Sequence, residues 1–205
     1  MATSLGEAAQ RRPVRERFWN LPNTITVVRL AVVPVLVAFP LYGGRAGSQV
    51  VAWLFILSAL GDVLDGWAAR WGSQVTRIGK LLDPLADKLT VATALIVLLV
   101  MGRIPEWALV LVVVVIGREL AVTGLRGFAQ ADGHIMAAEW PGKVKTLLQN
   151  IAIGALLFPT PQWGLPAHTI GLAFLVAATA LTLWSGYGYF ASYFAAGPRG
   201  PKEKR

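Results

Sequence analysis

The sequence predicts an all-α integral membrane protein with six spanning helices, and three observations predict it. Apolar residues make up 55% of the 205 positions and mean hydropathy is +0.57, too apolar a balance for an ordinary soluble domain of this length. They gather into six runs, each near the roughly 20 residues needed to cross hydrocarbon, separated by Gly, Pro and charge. The basic residues are spread unevenly around those runs, which orients them.

The six spans are expected at about residues 24–41, 49–69, 79–101, 106–129, 143–160 and 168–194. In the first, Asn23, Thr24, Thr26 and Arg29 precede an apolar stretch from Leu30 to Leu41. The second runs from Val50 to Leu60 before reaching Asp62, Asp65 and Arg70, and the third opens on Asp83, Asp87 and Lys88 before Leu89 to Met101. The fourth ends "GRELAVTGLR", the fifth begins "GKVKTLLQN" and the sixth finishes "LWSGYGYF". Every span thus has an apolar part and a polar third, and the polar thirds fall at one depth. Charged side chains cost about 2.5 to 3.5 kcal/mol each at the bilayer centre, so they are expected to face a wet cavity inside the bundle.

Of the nineteen Lys and Arg residues, only Arg45 and Arg103 fall in predicted outer connections. Both termini are therefore expected in the cytoplasm, with residues 1–19 a basic segment, 20–195 the membrane domain and 196–205 a basic tail. Arg11, Arg12, Arg15 and Arg17 lead straight into the first span without the order of a cleaved signal peptide, so that stretch is expected to be retained, as an interfacial helix or a disordered tail. The net charge of +8 suits anionic lipid head groups; the basic residues flank spans and form no continuous basic face with interleaved aromatics, which argues against nucleic acid. The absence of cysteine excludes disulfides and thiolate chemistry. Trp19, Trp107, Trp140, Trp163 and Trp184 suit interfacial belts or packing, and His134 and His168, with no second His at ligand spacing, read as structural or solvated.

Four of the eleven acids sit between two of the most apolar stretches, in "GDVLDGWAARWGSQVTRIGKLLDPLADK". Asp62 and Asp65 are three apart, and Asp83 and Asp87 four apart, so each pair shares a helix face. The linking "RWGSQVTRIG" is short and polar, so the second and third helices are expected to be antiparallel neighbours whose acidic faces can converge. Carboxylates that close must be protonated, paired or neutralised, and hard oxygen ligands favour a divalent cation such as Mg2+ or Mn2+. Gly66, Ala69 and Gly79 either admit a substrate to the backbone or let helices pack closely. Arg70 has two readings as well, a phosphate or carboxylate partner or a cation reaching for the interface.

The spacing D-x-x-D-G-x-x-A-R, eight residues, G-x-x-x-D-x-x-x-D, from Asp62 to Asp87, resembles the motif of the CDP-alcohol phosphotransferase family at every position. "NLPNTITVVRL", "GRELAVTGLRGFAQADG" and "AAEWPGKVKTLLQNIA" look like segments of its bacterial phosphatidylglycerophosphate synthase branch, so the likeness covers nearly the whole chain after Trp19. The resemblance implies a six-helix, homodimeric enzyme of the bacterial plasma membrane with its active site on the cytoplasmic side. CDP-diacylglycerol is the implied donor, glycerol 3-phosphate the acceptor and CMP the leaving group. It implies that Asp62, Asp65, Asp83 and Asp87 hold two divalent cations, with Asp87 also the general base. Asn23 to Thr26, Asp62, Gly66, Arg70 and Thr76 match positions that hold the CDP group.

An acceptor that carries its own phosphate calls for a cationic pocket. Arg118, Lys143, Arg126 and Lys145, at the inner ends of the fourth and fifth spans, are the candidates, with Arg118 and Lys143 first because similar positions in the family line the acceptor pocket. Eight helical residues turn through roughly 800°, so Arg118 and Arg126 need not face the same way. Glu119 is expected to pair with one of these bases. Two alternatives stand beside this expectation: another acceptor within the family, namely inositol phosphate, serine or phosphatidylglycerol, and, in a different class, a cation transporter using the acids as its path.

Overall fold

The structure, a computed structural model, describes residues 20–68, 77–131, 140–161 and 164–196. Six helices fall on the six apolar runs: α1 Leu21–Tyr42, α2 Gly44–Ala68, α3 Arg77–Val100, α4 Leu109–Ala131, α5 Trp140–Leu157 and α6 Ala167–Ala196. The basic N-terminal segment and the basic tail lie outside the described residues.

Local chemistry sets the helix ends. Asn20 caps α1, its side chain accepting from the backbone N–H of Asn23 at 2.9 Å, and Pro22 follows in the first turn, where a missing N–H costs nothing. At the far end the N–H of Gly43 returns to the carbonyl of Phe39 at 2.8 Å, and α2 starts at once. Gly47 lies directly against that same carbonyl, with no room for a Cβ, so the α1–α2 hairpin closes only around glycine. The expected fourth span begins later as an α-helix than the hydropathy suggests: Pro105 opens a single 3-10 turn, Glu106–Ala108, before α4.

Side-chain bonds pin the bundle at that end. Arg103, between α3 and α4, donates through Nη1 to the carbonyls of Leu156 and Leu157 at 3.1 and 2.9 Å, and Ser48 donates to Leu157 at 2.6 Å. The last turn of α5, which has no helical partners for its carbonyls, is satisfied from two other helical regions. Burial pushes the Arg103 guanidinium below its ordinary pKa, and its carbonyl oxygen is 2.8 Å from His168 Nε2 at the start of α6. His168 is thus a structural residue, as its isolation in the sequence suggests.

Leu36, Phe55, Leu98, Val115, Ile153 and Leu175, one from each helix, meet in a single core. α5 and α6 pack most extensively, and α1 is the main neighbour of both α2 and α3. Among the described residues α2 and α3 each pack chiefly on α1 and not on each other, so α1, rather than the direct α2–α3 pairing expected from the sequence, joins them. Outside the core the helices stay apolar: Val110, Val113, Leu120 and Phe128 on α4 and Leu183 and Trp184 on α6 are exposed. Glu106–Gln130 and Ala167–Ala195 are long and apolar enough to cross a membrane, yet only 28% and 39% of their most apolar stretches are buried. A soluble core helix would hide those side chains; these present them outward, as lipid-facing helices do.

Candidate active site

Polar side chains from all six helices gather at the end opposite Arg103, in two adjoining groups. The first is built on α1 and α3. Asn23 and Thr26 are buried, 1% and 3% exposed, in the opening turns of α1. Arg29, one turn further, reaches Asp83 on α3 at 3.7 Å; the arginine side chain is 10% exposed and the carboxylate 65%. Asp83 therefore points outward while Asp87, one helical turn on, is half-buried. Asp87 lines a small cleft of about 20 Å3 with Arg29, Ser58, Thr90 and Asn150, drawn from α1, α2, α3 and α5. Gly79 is buried on α3, four residues before Asp83.

The helical backbone of α2 continues through Asp62, Asp65 and Gly66 to Ala68, and the side chains of these residues lie outside the description. Ala69, Arg70 and Thr76 fall outside the described residues. Position 62 comes one helical turn after Ser58, which lines the cleft. The carboxylates of α2 and α3 offer hard oxygen donors, the chemistry that a divalent cation of the magnesium type selects, so the donor set fits such an ion.

The second group joins α4, α5 and α6. Arg118 Nη1 donates to Glu119 Oε1 at 3.2 Å, and Lys145 donates to the same oxygen. Arg118 Nη2 donates to Ser185 Oγ on α6 at 2.7 Å. Gly186 makes that reach possible, because a Cβ there would sit 3.2 Å from Arg118 Cγ and 3.3 Å from Nε. Arg126 donates to the hydroxyl of Tyr189 at 2.5 Å, with its guanidinium 4.6 Å from the ring centroid, and Arg118 lies 5.7 Å over the same ring. Tyr189 thus orients two cations, one through its hydroxyl and both through its face.

The two groups are one electrostatic unit: the charges of Asp87, Lys88, Glu119 and Lys145 lie within mutual reach. Of the four basic candidates, Arg118, Arg126 and Lys145 are brought together. Lys143 is exposed, two residues from the buried Lys145 on α5 and so on another face. Arg29, Ser185 and Tyr189, with the cleft residues Ser58, Thr90 and Asn150, are members to which the sequence alone assigned no role. Their signal is depth: Arg29 shares the polar third of α1, and Ser185 and Tyr189 are four apart in "LWSGYGYF".

The family model described as CDP-alcohol phosphatidyltransferase matches residues 19–184. The chain belongs to the CDP-alcohol phosphatidyltransferase family. The match takes in both site groups except the α6 residues Ser185, Gly186 and Tyr189. Among relatives within the family, the "CDP-diacylglycerol--glycerol-3-phosphate 3-phosphatidyltransferase" of Bacillus subtilis is 39% identical over 190 residues, covering 87% of this chain and 97% of the relative. Proteins of the same name from Rickettsia felis and Salmonella choleraesuis are each 34% identical, covering 83% and 85% of this chain and 93% and 94% of theirs. CDP-alcohol phosphatidyltransferases are membrane-bound and generally depend on a divalent cation.

Proposed function

We propose that this chain transfers the phosphatidyl group of CDP-diacylglycerol to the 1-hydroxyl of sn-glycerol 3-phosphate, giving phosphatidylglycerophosphate and CMP. The observation that carries this reading is the junction of Asp87 with the Arg118–Glu119–Lys145 group. A base and a phosphate-binding cation cluster side by side suit an acceptor that has both a reacting hydroxyl and a phosphate. The names of relatives 34–39% identical over most of the chain support the same acceptor.

In the proposed mechanism Arg118 and Lys145, with Arg126 beside them, bind the acceptor's phosphate and bring its 1-hydroxyl towards Asp87. Asp87 accepts the hydroxyl proton as the oxygen bonds to the β-phosphorus of the donor. The bond between that phosphorus and the bridging oxygen breaks, and CMP leaves with the electron pair. Asp62, Asp65, Asp83 and Asp87 would hold divalent cations, Mg2+ or Mn2+, whose positive charge would offset the negative charge of the pyrophosphate. Asn23, Thr26, Gly66, Arg70 and Thr76 would hold the nucleotide. The rest of the rate comes from positioning, since phosphoryl transfer asks little covalent chemistry of the protein.

We further infer that all six helices span a bacterial plasma membrane, with residues 20–195 the catalytic domain, both termini in the cytoplasm and two copies forming a homodimer. The lengths of α1 to α6, 18 to 30 residues, support spanning, because 18 residues extend about 27 Å. Apart from Glu106, in the 3-10 turn at the opposite end, the carboxylates whose side chains are described, Asp83, Asp87 and Glu119, lie with the cations at one end, which favours a one-sided site over a cation path through the bundle.

CMP release from CDP-diacylglycerol by the purified protein in detergent tests the reading. Release is expected only with glycerol 3-phosphate and a divalent cation, and EDTA should stop it. Release driven by serine or inositol phosphate, with none from glycerol 3-phosphate, would overturn the acceptor assignment.

A further inference from the structure

Glycerol 3-phosphate, taken as the acceptor on the strength of the proposed function, presents three groups to a binding site. Its phosphate meets the cations and its 1-hydroxyl meets Asp87, which leaves the 2-hydroxyl in between. Glu119 is in touch with both sides of that site: it contacts Arg118 and Lys145 directly and is within electrostatic reach of Asp87. A carboxylate inside an anion-binding pocket weakens phosphate binding, so its presence asks for a compensating role.

The hydrogen bonds supply one. Both Arg118 and Lys145 donate to Oε1 of Glu119, and among the described residues no protein donor bonds to Oε2. The side chain is 16% exposed, against 5% for Lys145 and 10% for Arg118, so it is the most open of the three. An ionised carboxylate only accepts hydrogen bonds, and a secondary hydroxyl is a donor of matching chemistry. Two cations hold one oxygen in place and thereby fix where the other can go. We propose that Glu119 is a specificity-determining residue that accepts a hydrogen bond from the acceptor's 2-hydroxyl through Oε2 while Oε1 keeps Arg118 and Lys145 together for the phosphate.

The test compares glycerol 3-phosphate with 3-hydroxypropyl phosphate, which keeps the phosphate and the reacting hydroxyl and lacks only the central one. A charge-assisted hydrogen bond predicts that the wild-type protein favours glycerol 3-phosphate by about 10- to 100-fold in kcat/KM. Glu119→Gln should cut that preference by about tenfold, acting mainly on glycerol 3-phosphate. Glu119→Asp, which keeps the charge and withdraws the oxygens by one methylene, should narrow it too. Equal use of both acceptors by the wild-type protein overturns the proposal without any variant having to fold. An equal loss on both acceptors in the variants also overturns it and leaves Glu119 as a partner for buried cations alone. Failure of the wild-type protein to use glycerol 3-phosphate at all is a different result, and overturns the acceptor assignment itself.

Discussion

Arg118 on α4 donates to Ser185 on α6 across 2.7 Å, and with Gly186 leaving space for its stem this bond fixes the direction of a side chain only 10% exposed. Ser185→Ala removes the acceptor and leaves the cation. The expected result is a KM for glycerol 3-phosphate raised by about 3- to 10-fold with kcat little changed, the effect of loosening one charge-assisted hydrogen bond. Steady-state kinetics on the two proteins in detergent checks it.

Two lysines two residues apart make a sharper comparison. Lys145 is buried and bonded to Glu119, while Lys143 is exposed. Lys145→Ala should raise the acceptor KM by about 10- to 100-fold and lower stability, because it leaves Glu119 with one cation fewer in a buried setting. Lys143→Ala should change KM by less than about threefold, as suits an exposed cation. The reverse order would move the phosphate pocket to the other face of α5.

Asp87→Asn keeps the size of a half-buried side chain and removes its capacity to take a proton. Turnover should fall by about 10²- to 10⁴-fold, the range for a general base, with an unchanged elution profile in size-exclusion chromatography. Substantial activity in the folded variant would remove Asp87 from the base role.

Stability is the readout at the opposite end. Arg103→Ala strands the carbonyls of Leu156 and Leu157 and should cost about 2 kcal/mol, or roughly 4 to 8 °C in Tm. Activity per folded molecule should survive at low temperature. Gly47→Ala places a methyl group against the Phe39 carbonyl, which is backbone and cannot swing aside, and should cost at least as much.

The helices were legible because hydropathy, glycine and proline mark their ends: α1 to α6 fall within a few residues of the expected runs. The 3-10 turn at Glu106 was not, since its residues are as compatible with a helix as those that come after it. The shared depth of the polar thirds was legible too, and it forecast that Arg118 and Glu119 would meet the start of α5. Which lysine of "GKVK" turns inward depends on the rotational phase of α5, and that phase is set by packing against α6. Arg118 and Arg126 illustrate the same limit. Helical spacing separates them by about 80°, yet both lie over the ring of Tyr189, because a long side chain and a broad aromatic face absorb the difference. Tyr189 itself reads as one more aromatic near an interface until α6 is laid against α4.

The ties of Arg103 and Ser48 to the last turn of α5 have a mechanical consequence. They bind the bundle at one end through backbone carbonyls, whereas the other end is joined largely by side-chain charges that a substrate's phosphates can engage. A helix the length of α1, 22 residues, is a lever arm of about 33 Å, so a tilt of about 10° at the fastened end carries its tip roughly 6 Å. Contacts to backbone carbonyls thus fasten the Arg103 end, while the contacts at the other end include ion pairs of the kind that a phosphate-bearing lipid can replace without disturbing the fastened end.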